Sequence, residues 1–368
     1  SGTPRENTLT LNMTNSSVSQ VTGGTQGDGV ITSLTGQTVS ITFAPSKGYS
    51  FVQGQSTISL SGRGNIETTY QDGNVTVVWS GFTGDASLTV SPTPNANTIT
   101  FGDNSSRVAS IWANSQSVNV AGGSVSVRTG ESLTIVVNLR YGYHNASLTL
   151  QEGSTASVSP QEETFDDETK TYRRTFVVSG IDENLQITIT SEEREYRVQS
   201  ISENADLGSV TSEEVVTMRF GSSSAFSATA NEGYVFAGWY IGDTLISTDN
   251  PYTFFANESV RTYLENNLTD GVLQLIAHFG LAESEVSITN GANGTLTYNW
   301  GGDDDQDRTL IENDSTSGIV SFGNNLVIRV TPHAGYSVTS DTITFTREGQ
   351  PVPDAWTKYV QPDENGGA

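Results

Sequence analysis

The chain carries a formal net charge of -24 over 368 residues, with three lysines and no cysteine. The lack of thiols excludes disulfide staples and thiolate metal centres, and so acidic a surface repels phosphate backbones, which excludes nucleic acid as a partner. No apolar run reaches the length that crosses a bilayer as a helix, so membrane insertion is not expected, while cations and partners with basic patches suit the charge.

Four landmarks repeat in fixed register. A turn glycine is followed thirteen residues later by the tyrosine of a Gly-Tyr pair: Gly36 and Tyr49, Gly130 and Tyr143, Gly221 and Tyr234, Gly323 and Tyr336. The tyrosines lie 91 to 102 residues apart, so the chain reads as four small modules in a row, each with a modest core. The boundaries fall at 1–97, 98–194, 195–281 and 282–368.

The first module opens on Thr8-Leu-Thr-Leu-Asn-Met13, which alternates apolar and polar as a half-buried strand does. Val39 to Phe43 alternates after the turn glycine, and Ile58 to Leu60, Val75 to Trp79 and Leu88 to Val90 follow in the same period. Pro92-Thr-Pro94-Asn-Ala-Asn reads as a linker. The second module repeats the scheme with Leu133 to Val137, Leu148 to Leu150 and Phe176-Val-Val-Ser-Gly180-Ile181, which copies Val77-Val-Trp-Ser-Gly81-Phe82, before closing on Leu185 to Ile189. The acidic stretch from Glu162 to Lys170 reads as a solvated loop. The charged run Glu192-Glu-Arg-Glu195 marks the next boundary.

The third module contains Gly208-Ser-Val210, Glu232-Gly-Tyr-Val-Phe-Ala-Gly-Trp-Tyr240, Asn250-Pro-Tyr-Thr-Phe254 and Ile276-Ala-His-Phe279. In this combination and order the residues from 198 to 279 resemble the divergent internalin-type B-repeat family of bacterial surface proteins. The other modules share only the Gly-Tyr core of the pattern. The resemblance implies a small β-rich surface module, used in series as spacer or adhesive, and no catalytic residues. Ser259 to Leu268, with apolar residues at helical spacing, predicts one short helix.

The fourth module has Gly294-Thr-Leu296, an insertion from Tyr298 to Asp307, and Ile328 to Pro332, and then runs to Pro351 and Trp356 without a counterpart of the earlier closing strands. An incomplete sheet exposes backbone groups that invite a partner strand. Leu9, Leu11 and Met13 have the spacing of the closing strands, so head-to-tail strand exchange between subunits is one expectation. The stretch Ile99 to Phe101, an extra strand at the start of the second module, argues the other way.

Few residues point to chemistry. Each Gly-Tyr pair reads first as structure: glycine for a tight turn, tyrosine covering the end of a small core with its hydroxyl wet. Trp239 beside Tyr240 resembles a sugar platform but suits a core better. Trp300, with Tyr298, stands in a Gly- and Asp-rich insertion, where exposure and recognition of a protein or glycan are expected. Asp303, Asp305, Asp307 and Asp314 match the first, third, fifth and twelfth positions of a calcium loop, although Arg308 occupies the place that needs glycine; the alternative is a solvated acidic loop. The histidines, His144, His278 and His333, are too scattered for one metal site. No catalytic motif occurs, and no organic cofactor is expected.

The sequence therefore predicts an all-β fold of four tandem β-sandwich or β-grasp-like modules with little helix. The function expected is non-enzymatic: a structural, adhesive protein on a bacterial cell surface. A phage head fibre, decoration or tail-associated protein on a virion surface is the alternative. Ser1 to Asn7 shows no signal-peptide pattern, but a processed chain would also start on a small residue.

Overall fold

A computed structural model describes residues 2–302 and 306–338, together with 344, 346–347 and 350–351. The chain divides into two compact units, Ser1–Arg194 and Glu195–Ala368.

In the first unit, the strands up to residue 91, Tyr49–Ser50 apart, form two sheets packed face to face. One has the order Thr25–Gln26, Val30–Leu34, Glu6–Met13, Ala86–Ser91, Thr57–Gly62; the other runs Ser16–Thr22, Val39–Pro45, Asn74–Ser80, Asn65–Gln71. Alternation sends Leu9, Leu11, Ile31, Leu88 and Val90 of one sheet and Val39, Ile41, Phe43, Val75, Val77 and Trp79 of the other into one core. Trp79 stacks on Phe82 with ring centroids 3.7 Å apart and donates its indole N–H to the Arg63 carbonyl.

The rest of the unit repeats this plan. Ser124–Arg128, Ala96–Phe101, Leu185–Glu193 and Tyr143–Leu150 form one sheet, and Gln116–Val118, Val108–Ala113, Leu133–Leu139, Thr171–Ser179 and Ser157–Pro160 the other. The same pairings recur in the second unit, where Val216–Arg219, Glu195–Ser202, Val272–Leu281 and Tyr234–Ile241 are neighbours in that order. There the second layer is broken into short ladders, Gly208–Val210 with Ala228–Ala230 and Ser223–Phe226 with Tyr252–Phe255. Beyond residue 282, Glu283–Thr289 pairs with Ser315–Ser321, and Gly294–Asn299 lies between Arg308–Leu310 and Val327–Pro332. The fold is all-β, built of many small sheets, with two sheets sharing a core in each half of the first unit. The helical segment is short, a 3-10 turn Glu258–Val260 running into Arg261–Asn266, and buries Leu264.

One pairing was not legible in the sequence. In three modules the opening strand lies parallel to the closing strand: Leu11 faces Leu88, Ile99 faces Leu185, and Val198 faces Leu273. The consequence corrects the strand-exchange expectation. Glu6–Met13 is held between Val30–Leu34 and Ala86–Ser91 of its own sheet, so neither edge is free to be lent to another subunit. The expected lack of a closing strand in the fourth module concerns residues after 351, which lie outside the described residues.

Two further expectations are corrected. The stretch Thr93–Pro94 is not a free linker but pairs with Tyr49–Ser50. Within the acidic hairpin, Thr164–Asp166 joins the edge of a sheet, and the Glu163 carboxylate accepts hydrogen bonds from the Asn145 and Ala146 amides at 2.8 and 2.9 Å.

Candidate functional site

The repeated glycines and tyrosines build eight turns of one kind. At the turn glycines, Gln37, Glu131, Ser222 and Asn324 donate their amides three residues back to Leu34, Arg128, Arg219 and Ser321. At the Gly-Tyr pairs, Tyr49, Tyr143, Tyr234 and Tyr336 donate to Ser46, Arg140, Asn231 and His333. In each turn the third residue is a glycine with φ between +82° and +88°, which an L side chain adopts only with strain.

These turns do more than reverse the chain. Within the first unit, the Gly48 carbonyl accepts from Asn95 N–H at 2.8 Å, and the Asn95 carbonyl accepts from Thr129 N–H at 2.9 Å. Thr129 is the residue before turn glycine Gly130. Within the second unit, Gly233 accepts from Ala282 and Ala282 accepts from Phe322, both at 2.8 Å, and Phe322 precedes turn glycine Gly323. A Gly-Tyr turn is thus tied through one residue to the turn of the following module. The expectation that each tyrosine covers its own core is corrected at two places. The Tyr49 hydroxyl reaches Gly130, 3.5 Å from where a methyl on that glycine would stand. The Tyr234 ring lies 6.1 Å from that of Phe322. Tyr143 does pack on its own core, under the Arg107 guanidinium, whereas Tyr336 is 59% exposed.

Charge reinforces the first of these joints. Lys47 Nζ lies 2.9 Å from Asp182 and 3.1 Å from Glu183, and donates to Thr155 Oγ1 at 3.5 Å. Hydrogen bonds to Asp182 and Glu183 raise the Lys47 pKa above its ordinary value.

The recognition residues expected in the fourth module are placed otherwise. Trp300 is 9% exposed and Tyr298 7%, and they pack edge to face with centroids 5.2 Å apart among Ile288, Leu296 and Leu310. Trp300 also covers Gly318, whose missing side chain leaves room for the indole: a methyl there would be 2.5 Å from Cε2. The exposure expected of Trp300 is therefore corrected. Leu296, Tyr298 and Trp300 share one face of an alternating segment, a signal already present in the sequence. Trp239 is fully buried.

Asp303 and Asp305 lie outside the described residues. Asp307 accepts from the Asn299 side chain at 3.4 Å, and Asp314 accepts from the Ser315 amide at 2.9 Å. Among the described residues no group of three acidic or histidine side chains could hold a metal ion. The histidines sit apart, each beside its own glutamate: His144 near Glu192, His278 by Glu203 and His333 by Glu312.

Fold and joints together define a class: tandem β-sandwich modules coupled turn to turn within each unit. Residues 200–264 match the family model of the divergent InlB B-repeat domain, the family that the Gly-Ser-Val, Gly-Tyr and Asn-Pro-Tyr pattern resembles. No curated protein and no solved structure matches the chain. The match lies within the third module, which is thus similar to that β repeat. No helix among the described residues is long and apolar enough to cross a membrane.

Proposed function

We propose that the chain is a non-enzymatic, load-bearing spacer and adhesive on the outside of a bacterial cell. The observation that carries this reading is the parallel pairing of opening and closing strands in three modules. Parallel neighbours at the two termini send the chain in at one end of a module and out at the other. A pull on those ends then loads the whole ladder of backbone hydrogen bonds at once, in shear, instead of unzipping it one bond at a time. The turn-to-turn relays through Asn95 and Ala282 support the same reading, since they leave no slack where modules meet inside a unit. The B-repeat match supports a surface setting.

Stretching single molecules of the full chain tests the mechanical role. Separate unfolding events are expected, each releasing about 300 Å, the reach of roughly ninety extended residues. Gradual lengthening without force peaks would overturn it. Antibody labelling of intact cells tests the location, and labelling that requires lysis would count against a surface role.

A further inference from the structure

The second module exposes a tryptophan that the repeated frame does not call for. Trp112 stands between buried Ile111 and Ala113, so alternation turns its indole outward, and 44% of the residue is open to solvent. The other described tryptophans, Trp79, Trp239 and Trp300, are all buried. Register identifies the equivalent places. Trp112 faces Val136, six residues after turn glycine Gly130; six residues after the other turn glycines, Thr42 faces Gln20, Ser227 accepts from the Thr211 amide, and Arg329 faces Thr297. Those three counterparts are polar, so sandwich packing does not require an aromatic ring at this position.

The surroundings of Trp112 are polar and held in place. Asn114, Ser115, Thr134, Asn138 and Arg173 line one open groove with it, and Val136, across the ladder from Trp112, is the other apolar residue there. Asn114 and Ser115 form the two-residue hairpin turn, both in the left-handed region at φ 45° and 67°. Asn114 is pinned to Thr134 by two hydrogen bonds, of 2.8 and 2.9 Å. Asn138 donates to Ser110 Oγ at 2.8 Å, which orients its amide and leaves the carbonyl oxygen available. Arg173 lies across the ladder from Asn138, is exposed, and its guanidinium makes no ion pair or hydrogen bond among the described residues. No carboxylate lines the groove. With no internal partner and no carboxylate beside it in the groove, the guanidinium is locally open to an anion, against the acidic field of the rest of the chain.

A flat apolar ring, amides and hydroxyls around it, and one guanidinium fit a saccharide. The C–H face of a pyranose covers indole, its hydroxyls meet Asn and Ser, and guanidinium grips a carboxylate with two parallel bonds. Strand addition by a peptide is disfavoured here, because Val108–Ala113 is paired on both edges. We infer that this face of the second module binds an acidic saccharide, with the sugar ring on Trp112 and its carboxylate on Arg173. The inference does not depend on the load-bearing role.

The test titrates the full chain with a galacturonic acid oligomer and with a sialylated trisaccharide, each against its neutral counterpart, following tryptophan fluorescence and heat. At least one acidic probe is expected to bind better than its counterpart. Trp112→Ala should weaken that probe by about tenfold or more and Trp112→Phe by less. Arg173→Gln should cost about tenfold for the acidic probe and leave the neutral one unchanged. Unchanged unfolding midpoints would show that the variants are folded. No binding of either acidic probe, wild-type affinity in Trp112→Ala, or equal affinity for charged and neutral sugars would each overturn the inference.

Discussion

The ring of Phe322 occupies the space that a side chain on Gly233 would need: a methyl there would lie 2.2 Å from Cδ1 and Cε1 of the ring. Gly233 belongs to the Gly-Tyr turn of one module and Phe322 to the turn of the next, so the glycine is required twice. Its φ of +85° disfavours a side chain, and its neighbour leaves no room for one. Gly48 repeats the relation, with a methyl 2.7 Å from Cγ2 of Thr129.

Gly233→Ala is therefore expected to cost about 1–3 kcal/mol, from left-handed strain together with overpacking against Phe322. Hydrogen exchange of the Ala282 and Phe322 amides should accelerate with it. Protection that stays at the wild-type level would mean that the relay does not depend on this glycine.

Trp300→Ala and Trp112→Ala should part company. The first removes a buried indole from a small core and is expected to destabilise the fourth module by about 3–5 kcal/mol. The second removes an exposed ring and should change stability by no more than about 0.5 kcal/mol. Urea unfolding of both variants decides this, and similar losses would contradict the burial described for Trp300. Gly318→Ala, which drives a methyl into the Trp300 ring, should cost about 1–3 kcal/mol by the same assay.

Lys47→Gln should destabilise the first unit in a pH-dependent way. The folded pKa of Lys47 is raised by its hydrogen bonds to Asp182 and Glu183, so its contribution is complete below the unfolded value of about 10.4 and fades as pH climbs through the folded one. The gap in denaturation midpoint between wild type and variant is expected to hold between about pH 7 and pH 9 and to close at higher pH. Because the ammonium is exposed, added salt should narrow the gap. A gap that is absent at neutral pH, or that widens in alkali, would refute the assignment.

Removing residues 1–13 should unfold the first module. The deletion takes away a central strand and, with Leu9 and Leu11, two residues of the core. Loss of the Trp79 fluorescence signature is the readout, and a truncated chain with an intact first module would show that Glu6–Met13 is dispensable.

Alternation and turn chemistry were legible from the residues alone, because both are local. A side chain two residues on returns to the same face, and a third-position glycine in a turn can be recognised from its neighbours. Those rules yield the strands, the register of the four landmarks and the all-β class. Applied to Leu296-Thr-Tyr-Asn-Trp300, the same period points Trp300 inward, whereas the exposure expected of it rested on the Gly- and Asp-rich residues around it. What lay beyond the sequence was every relation between distant segments. Nothing local says that Leu11 will run parallel to Leu88, that Gly233 will meet Phe322, or that Trp112 and Arg173 will share a groove. Those juxtapositions come from closing loops of tens of residues, whose entropy is recovered only when the two sheets bury a common core, so they exist only in the folded molecule.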